Sequence, residues 1–236
     1  KRENVDCQSV LRTDEEQTAI GLVYFLPSGD NCIGLYPGAN RLLTADEASE
    51  GMRKLMLSKV VSAQLESPDE AIRAAFMIAK EYGAKVILDP APARQVDSEI
   101  LNMVSVLTPN QSEARILAGL APDDCSVGLM EIGLRLLDMG PEAVVITMGE
   151  NGSLLVERGK DPRRIEPYLV DTVDALGAGD CFAGSLAVAM SEGRPLPEAA
   201  EWASVAAALS TRGIGGIAPL PSRDDVCVNV TRSRLG

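Results

Sequence analysis

Between residues 60 and 149 the sequence alternates between short apolar runs and longer segments with helical spacing. The apolar runs are VVSAQLE at 60–66, KVILDP at 85–90, VSVLTPN at 104–110 and AVVITMG at 143–149. Helices are predicted between them at 68–82, 97–103, 111–118 and 127–139. Strands that are apolar throughout are typical of a parallel sheet covered by helices on both faces. The alternation therefore predicts an α/β protein with three layers, α/β/α, and a mostly parallel sheet.

Two further β-rich runs come before this alternation and predict a hairpin. TAIGLVYFL at 18–26 and CIGLY at 32–36 are separated by a turn at Pro27–Asn31. A short strand is also predicted near Val10–Leu11. The segment 44–57 is weakly helical, and Thr44 is its predicted N-cap.

The C-terminal part adds one antiparallel strand and two long helices to the prediction. SLLVER at 153–158 is expected to return antiparallel to 143–149 after a turn at Glu150–Gly152. YLVDTV at 168–173 is strand-like and is closed by Asp174. A helix to about residue 192 and an alanine-rich helix at 198–211 follow, and a Gly/Pro loop runs to 221.

Composition narrows the classes of function. The net charge is −12 and no basic block occurs, which disfavours duplex nucleic acid and anionic membrane surfaces as partners. The chain has no histidine, so Ser-His-Asp catalysis, Cys-His catalysis and histidine-ligated metal sites are excluded. Its five cysteines have no CxxC spacing and are typical of reduced thiols, which predicts a cytoplasmic protein.

The stretch VDALGAGDCFAGSLAVAM at 173–190 predicts an anion site at the start of a helix. Gly177 and Gly179 have no side chains, so a phosphate group can approach the backbone N–H groups there. Asp180 would repel that phosphate unless it accepts a proton from an attacking hydroxyl. The alternative is an ordinary glycine-rich turn with a capping aspartate.

Five residues end predicted strands and carry the argument for a site at one edge of the sheet. In open parallel sheets, catalytic groups gather outside the carboxyl ends of the strands. The strand-end residues are Glu66, Asp89, Asn110, Gly149 and Asp174. The alternative is that polar residues end most strands in any protein.

Other candidates have competing explanations. The spacing of Asn110 and Glu113 suits a magnesium site near phosphates, but it favours a capping box, and the two are compatible. The glycines of Thr147–Gly152 suit a nucleotide contact or, with more local support, a hairpin turn. Cys181 and Trp202 are better explained by packing than by a nucleophile or a stacked ligand.

Several motifs together resemble the ribokinase-like carbohydrate kinase family. VDALGAGDCF is similar to the family signature Asp-Thr-x-Gly-Ala-Gly-Asp, with Ala175 at the usual threonine. The other matching stretches, in the family's order and spacing, are PGAN at 37–40, QLESP at 64–68, LDPAPA at 88–93, TPNQSEA at 108–114 and ITMGENG at 146–152. The resemblance covers essentially the whole chain.

The resemblance implies roles for individual residues at the sugar and the transferred phosphoryl group. Asp180 is similar to the general base that takes the proton from the primary hydroxyl of the sugar, which it therefore also contacts. The N–H groups of Gly177, Ala178 and Gly179 are similar to an anion hole. Glu66 matches a carboxylate that contacts ribose.

It also implies nucleotide and metal sites. Glu113 matches a magnesium position beside Asn110. The implied nucleotide-binding residues are Asn110, Thr147, Gly149, Gly152, Gly179 and Ser204. The implied monovalent-cation site is formed by Asp174, the Leu176 carbonyl and carbonyls near Ser210, Gly213 and Gly215, and it would act by ordering the anion hole.

The activity that the resemblance implies is ATP-dependent phosphorylation of D-ribose at the 5-hydroxyl, with Mg²⁺ and K⁺ as cofactors. The alternatives are another sugar or nucleoside kinase of the family, or an inactive truncated nucleotide-binding module. Residues 1–40 are expected to form a partial β lid and the return to the core, and residues 41–236 the nucleotide-binding and catalytic core. Lid strands imply a homodimer.

Three departures from the family pattern shape these expectations. Asp89 replaces a more usual asparagine, and Pro219 stands where the family can offer a hydroxyl to the potassium ion. Family members also begin with a segment that supplies central strands, half of the lid and a Gly-Gly-Lys-Gly sugar motif. That segment is not in this sequence, so the chain is expected to be a fragment or a truncated product. We therefore expect the chain alone to bind sugar poorly.

Overall fold

The computed structural model describes residues 5–25, 31–55 and 57–233, which form two sheets and the helices around them. The smaller sheet pairs β1 (Ile20–Phe25) with β2 (Asn31–Tyr36) in antiparallel register. The larger sheet has six strands in chain order: β3 (Val60–Gln64), β4 (Lys85–Asp89), β5 (Val106–Leu107), β6 (Ala143–Thr147), β7 (Ser153–Glu157) and β8 (Arg163–Ile165).

The first four strands of the large sheet are parallel, whereas β7 pairs antiparallel with β6 and β8 pairs antiparallel with β7. Helices cross between the parallel strands because parallel neighbours need a long return connection. The crossing helices are α2 (Asp69–Glu81), α3 (Ser98–Leu101), α4 (Gln111–Leu117) and α5 (Leu129–Asp138). The mostly parallel sheet predicted from the alternation is confirmed.

Successive residues of the central strands face two separate hydrophobic cores. In β4, Val86 and Leu88 face one core and Ile87 the other; in β6, Ile146 joins the first and Val145 the second. All five side chains are fully buried. A strand alternates its side chains between faces, so burial of both sets requires a helical layer on each side. The predicted three-layer arrangement is therefore confirmed.

The second core is covered by three C-terminal helices. They are α6 (Ala178–Ser191), α7 (Leu196–Ser210) and α8 (Arg223–Ser233). Leu186 of α6 and Ala203 of α7 have no exposed surface. The small side chains of α6 and α7 let these helices pack closely on each other and on the sheet. This packing sets where the N-terminus of α6 lies relative to the strand ends.

The hairpin β1–β2 stands apart from the large sheet and has an exposed apolar face. Leu22 and Tyr24 are 56% and 59% exposed. The Tyr36 hydroxyl donates to Glu16 at 2.6 Å, and Arg41 also bonds to Glu16, so β2 is tied to the 3-10 turn Gly38–Leu42. The predicted hairpin is confirmed, while its turn at residues 27–30 lies outside the described residues.

Local predictions near the helix ends are largely confirmed. Thr44 caps α1 (Ala45–Lys54) through a reciprocal capping box with Glu47. Strand 104–110 shortens to β5, although Asn110 still bridges to Thr147 in parallel. Helix 97–103 shortens to the single turn α3. The helix α8 was not predicted, since the sequence after residue 221 has no clear apolar spacing.

Two predicted strands are wrong. Residues 10–11 lie in an irregular segment, and so does YLVDTV at 168–173. The N–H groups of Val173 and Asp174 donate to the Thr211 carbonyl at 2.8 and 3.1 Å, not to a neighbouring strand. The actual edge strand, β8, lies earlier in the chain. Asp174 is therefore held by the C-terminal end of α7, not by the sheet.

Cys7, Cys125, Cys181 and Cys227 are free cysteines, and the side chain of Cys32 lies outside the described part. Among the residues that the structure describes, no helix combines the length and apolar content needed to cross a membrane.

Truncation of Phe76 should destabilise the chain far more than truncation of the next residue. Phe76 is fully buried between α2 and the sheet, whereas Met77 on the same helix is 59% exposed. We expect Phe76→Ala to lower the free energy of unfolding by about 3–5 kcal/mol, and Met77→Ala by less than about 0.5 kcal/mol. Urea denaturation of both variants measures this, and equal losses would contradict the described core.

Candidate active site

The candidate site lies where the carboxyl ends of β3 and β4 meet the N-terminus of α6. Gln64 ends β3 and Asp89 ends β4, and the two are Cα partners in the parallel ladder. Glu66 follows two residues after β3, and Asn110 pairs with Thr147 at the ends of β5 and β6. These strand-end residues lie at one edge of the sheet because parallel strands all point their carboxyl ends the same way.

Asp180 reaches this edge from the other side. It is the third residue of α6, and Gly177 is the N-cap in a left-handed conformation with φ of 76°. The side-chain amide of Gln64 donates from Nε2 to Asp180 Oδ1 at 2.9 Å. The helix that carries Asp180 is therefore joined to the end of the sheet by a direct hydrogen bond across 116 residues of sequence.

The backbone donors near Asp180 differ in how free they are. The Ala178 N–H donates to the Ala175 carbonyl at 3.2 Å. Within the described ranges, no oxygen accepts from the N–H groups of Gly177 or Gly179. A Cβ on Gly179 would meet nothing within 4 Å, so the space above it is open. Two of the three predicted anion-hole donors thus remain available at a helix terminus that favours negative charge.

The strand ends gather carboxylates as well. Asp89 is only 7% exposed, and its pKa is raised to about 7, chiefly by burial and in part by the charges of Glu113, Asp180 and Glu66. The side-chain amide of Gln64 acts in the opposite direction and lowers the pKa of Asp89. The four carboxyl groups thus lie close enough to affect one another, as the strand-end argument predicted for Glu66 and Asp89.

Asn110 and Glu113 form the capping box that their spacing favoured. The Glu113 N–H donates to Asn110 Oδ1 at 2.9 Å, and the Asn110 N–H donates to Glu113 Oε2 at 2.7 Å. Burial raises the pKa of Glu113, and the bond from the Asn110 backbone partly offsets that increase. The other carboxylate oxygen of Glu113, Oε1, is left for a further partner. The predicted partner is magnesium, and this role stays a prediction.

In the described ranges, no three acidic or cysteine side chains are arranged to hold a metal ion. Mg²⁺ is commonly bound through one or two carboxylates, with water and substrate phosphates filling the remaining positions. The single free oxygen of Glu113 at the carboxylate-rich edge fits that mode of binding.

The segment Thr147–Gly152 is a hairpin turn, which confirms the alternative that local evidence favoured. Strands β6 and β7 are antiparallel neighbours, and the Met148 N–H donates to the Gly152 carbonyl at 2.8 Å. A Cβ on Gly152 would lie 2.2 Å from the Ile165 carbonyl, so packing against β8 requires glycine there. Gly149 has open space around its Cβ position, and its nucleotide contact stays a prediction together with that of Thr147.

Asp174 joins two loops beside the N-terminus of α6. Its Oδ1 accepts from the Leu176 N–H and its Oδ2 from the Gly215 N–H, both at 2.9 Å. These two bonds lower the pKa of Asp174. A Cβ on Gly177 would lie 3.1 Å from the Gly216 Cα, so the loops touch directly. Carboxylate oxygens can also bind a cation, and the predicted role of Asp174 at a monovalent cation stays a prediction.

The remaining predicted cation residues, Ser210 and Gly213, lie at the end of α7 and in the loop that follows it. Ser210 is buried at the end of α7, and its hydroxyl donates to the Ala207 carbonyl at 2.8 Å. A Cβ on Gly213 would lie 2.9 Å from the Pro219 Cβ, so the proline packs against this loop at the position where the family can offer a hydroxyl. The cation site stays a prediction.

Cys181 and Trp202 belong to the second core, as expected. Burial raises the pKa of the Cys181 thiol, which disfavours a nucleophilic role. The Arg194 guanidinium lies 4.3 Å from the centre of the Trp202 ring. Ser204 is half-buried on α7, and its contact with the nucleotide stays a prediction.

A cavity of about 680 Å³ adjoins the start of α6. It runs from Gly177 and Asp180 past Trp202 to Ile217 and Arg223. Its size lies within the range of small-molecule sites. Sequence reasoning had named Gly177 and Asp180 but not the apolar wall behind them.

Replacement of Asp89 by asparagine should change how stability depends on pH. The folded pKa is about 7 and the reference value is 3.8, so between these values the folded state binds more protons than the unfolded state. Wild-type stability therefore falls as the pH rises through this window, and the loss is complete above about pH 7. An asparagine side chain does not titrate, so the Asp89→Asn variant lacks this loss.

We expect Asp89→Asn to gain about 2–3 kcal/mol relative to wild type between pH 5 and pH 8, at about 1.4 kcal/mol per pKa unit. Urea denaturation in metal-free buffer at both pH values measures the difference. Asp123→Asn, at an exposed site, is the matched control and should show no such trend. If the stability difference between Asp89→Asn and wild type were the same at pH 5 and pH 8, the raised pKa of the buried Asp89 carboxyl would be contradicted.

Comparison with known proteins agrees with this geometry. The sequence model of the pfkB family carbohydrate kinases matches residues 1–223. A ribokinase of Haemophilus influenzae is 31% identical over 224 residues, which are 95% of this chain and 72% of that protein. A deoxyribokinase of Salmonella typhi is 29% identical over 206 residues, covering 87% of this chain and 67% of the relative.

Solved structures share the fold. The structure of Arabidopsis thaliana ribokinase complexed with ribose and ATP superimposes with a TM-score of 0.80 at 28% identity, covering 92% of this chain and 70% of that chain. Among the relatives named here, the chain thus spans about seven-tenths of each protein's length. Since the family model matches nearly all of its residues, the chain belongs to the pfkB family of carbohydrate kinases and is an ATP-dependent sugar kinase with a ribokinase-like fold.

Proposed function

We propose that this kinase transfers the γ-phosphoryl group of ATP to the 5-hydroxyl of D-ribose, giving ribose 5-phosphate and ADP. The observation that carries the proposal is Asp180, whose carboxylate lies beside open N–H donors at the start of α6 and is hydrogen-bonded to the sheet. The choice of ribose is supported by the relatives, several of which are named ribokinase. The Arabidopsis relative was solved with ribose and ATP.

In the proposed step, Asp180 accepts the proton of the ribose 5-hydroxyl as the sugar oxygen bonds to the γ-phosphorus. The bond between that phosphorus and the bridging oxygen of the β-phosphate breaks, and ADP leaves with the electron pair. Charge on the transferred group is met by the free N–H groups of Gly177 and Gly179. Ala178 contributes only if its turn bond to Ala175 opens.

Glu66 is proposed to hold ribose on the side of β3. Its Oε2 lies 3.5 Å from Asn40 Nδ2, so the Glu66 carboxylate adjoins the segment that leads from the hairpin to the core. We propose that residues 1–40 form a partial β lid and the return to the core, and that residues 41–236 form the nucleotide-binding and catalytic core. The exposed face of the hairpin, with Leu22 and Tyr24, would pair with a second copy in a homodimer.

The nucleotide is proposed to lie along the strand ends from β5 to β7. The residues proposed to contact it are Asn110, Thr147, Gly149, Gly152, Gly179 and Ser204. Mg²⁺ would supply positive charge at the phosphate oxygens, and Glu113 would hold it through its free oxygen. In a chain of net charge −12, such an ion offsets repulsion between ATP and the carboxylates.

A monovalent cation, K⁺, is proposed beside the anion hole rather than at the substrate. The proposed ligands are Asp174, the Leu176 carbonyl and carbonyls near Ser210, Gly213 and Gly215. Because Asp174 already ties the two loops together, a cation there would stiffen the backbone that presents Gly177 and Gly179.

A second candidate substrate is 2-deoxy-D-ribose, which the similarity to the Salmonella typhi deoxyribokinase favours. The two sugars differ by one hydroxyl. A site with polar groups for that hydroxyl discriminates strongly against the sugar that lacks it. Glu66 is the proposed contact for ribose.

The substrate assignment is tested by steady-state kinetics on the protein as its gene encodes it. We expect kcat/KM for D-ribose to exceed that for 2-deoxy-D-ribose by about tenfold or more, because a hydrogen bond to the 2-hydroxyl is lost in the second sugar. Formation of ADP, coupled to NADH oxidation, measures both. An equal preference would contradict the ribose assignment, and a reversed preference would favour 2-deoxy-D-ribose as the substrate.

Removal of the proposed base should separate catalysis from binding. We expect Asp180→Asn to lower kcat by about 10²–10⁴-fold, since the asparagine amide cannot accept the hydroxyl proton. Calorimetry should show ATP binding within about twofold of wild type, because the free N–H donors remain. Asp171→Asn, at an exposed site nine residues earlier in the chain, is the control. Near-normal turnover of Asp180→Asn would refute the role of Asp180.

A further inference from the structure

The hydrogen bond between Gln64 and Asp180 has a consequence for the reaction. We propose that Gln64 is a positioning residue: its side-chain amide holds one oxygen of Asp180 and leaves the other directed at the sugar hydroxyl. The inference rests on the proposed function only in taking Asp180 as the base. Nε2 of Gln64 lies 2.9 Å from Oδ1 of Asp180, so Oδ2 is the oxygen left for the proton.

Gln64 is well placed to act as a fixed reference point. It is the last residue of β3, and the ladder sets it against Asp89 of β4. Asp180, by contrast, is an exposed side chain in the first turn of α6. A short side chain on a helix start has two rotatable bonds, and packing does not fix them when the residue is exposed. The amide of Gln64 supplies that restraint from the rigid sheet.

The same amide also acts on a second acid. Gln64 lowers the pKa of Asp89, whereas the charge of Asp180 raises it, so both side chains act on the buried carboxyl group at the end of β4. The hydrogen bond with defined geometry runs from Gln64 Nε2 to Asp180 Oδ1. A donor beside these carboxyl groups offsets part of the repulsion between them. Glu113 and Glu66 add further negative charge on the same side.

Loss of this restraint should reduce turnover without weakening ATP binding. A general base acts only within hydrogen-bond reach of its proton, and a displacement of about 1 Å can cost about 100-fold in rate. Gln64 is not among the proposed nucleotide contacts. Its effect is therefore expected in kcat and not in KM for ATP.

Two substitutions distinguish the restraint from simple packing. Gln64→Met keeps the length of the side chain but has no N–H donor, and we expect kcat to fall about 10- to 100-fold at every pH. Gln64→Glu keeps the shape of the side chain, but its carboxyl group can donate a hydrogen bond to Asp180 only when it is protonated. We expect its kcat relative to wild type to be lowest at pH 8 and to recover towards pH 6, as the introduced carboxyl gains its proton among Asp89, Glu113, Glu66 and Asp180.

Gln95→Met is the matched control, because Gln95 Nε2 donates to the Ile116 carbonyl at 3.0 Å away from the site. It should leave kcat unchanged. The inference is overturned if Gln64→Met retains wild-type kcat, or if the Gln64→Glu ratio is the same at pH 6 and pH 8. KM for ATP should stay within about twofold in both variants.

A structural readout keeps the inference independent of the substrate. Crystal structures of wild type and Gln64→Met should show Asp180 in one conformer in the first and displaced in the second. An unchanged Asp180 in Gln64→Met would overturn the inference whatever sugar is used. If the wild-type protein phosphorylates a sugar other than ribose, the ribose assignment fails, and the Gln64 comparison is made with that sugar.

Discussion

Burial of the central strands on both faces is the constraint on which the rest of the structure depends. Ile87 and Val145 face one core while Val86, Leu88 and Ile146 face the other, and none has exposed surface. Two buried faces require a helical layer on each side. Helix α6 belongs to one of these layers, and its packing on the sheet brings Asp180 to the strand ends.

The site combines groups that oppose one another electrostatically. Carboxyl groups gather at the strand ends, where burial and their mutual charge raise the pKa of Asp89 to about 7. Beside them, α6 offers free N–H groups at Gly177 and Gly179. A phosphorylated substrate can approach such an edge only if backbone donors and metal ions offset the acids. This balance suits a base next to a phosphoryl group, the arrangement that a sugar kinase needs.

Features that depend on a few neighbouring residues could be predicted. The capping boxes of Thr44 with Glu47 and of Asn110 with Glu113 follow from a spacing of three residues. The strand prediction for YLVDTV was wrong because the backbone N–H groups at the end of this segment donate to the end of α7. No local sequence pattern reveals that partner. The contact between Gln64 and Asp180 could not be predicted for the same reason, because the two residues are 116 positions apart in the chain.

The sequence by itself determined the layered α/β class, the parallel sheet and the edge at which Glu66, Asp89 and Asn110 gather, because periodicity and strand direction are local properties. It also marked Gly177, Gly179 and Asp180 as a helix start suited to phosphate. Only the tertiary structure decided that Asp174 joins two loops and that Gln64 holds Asp180. These bonds span 41 and 116 residues of the chain, and their geometry is set by how α6 and α7 pack on the sheet.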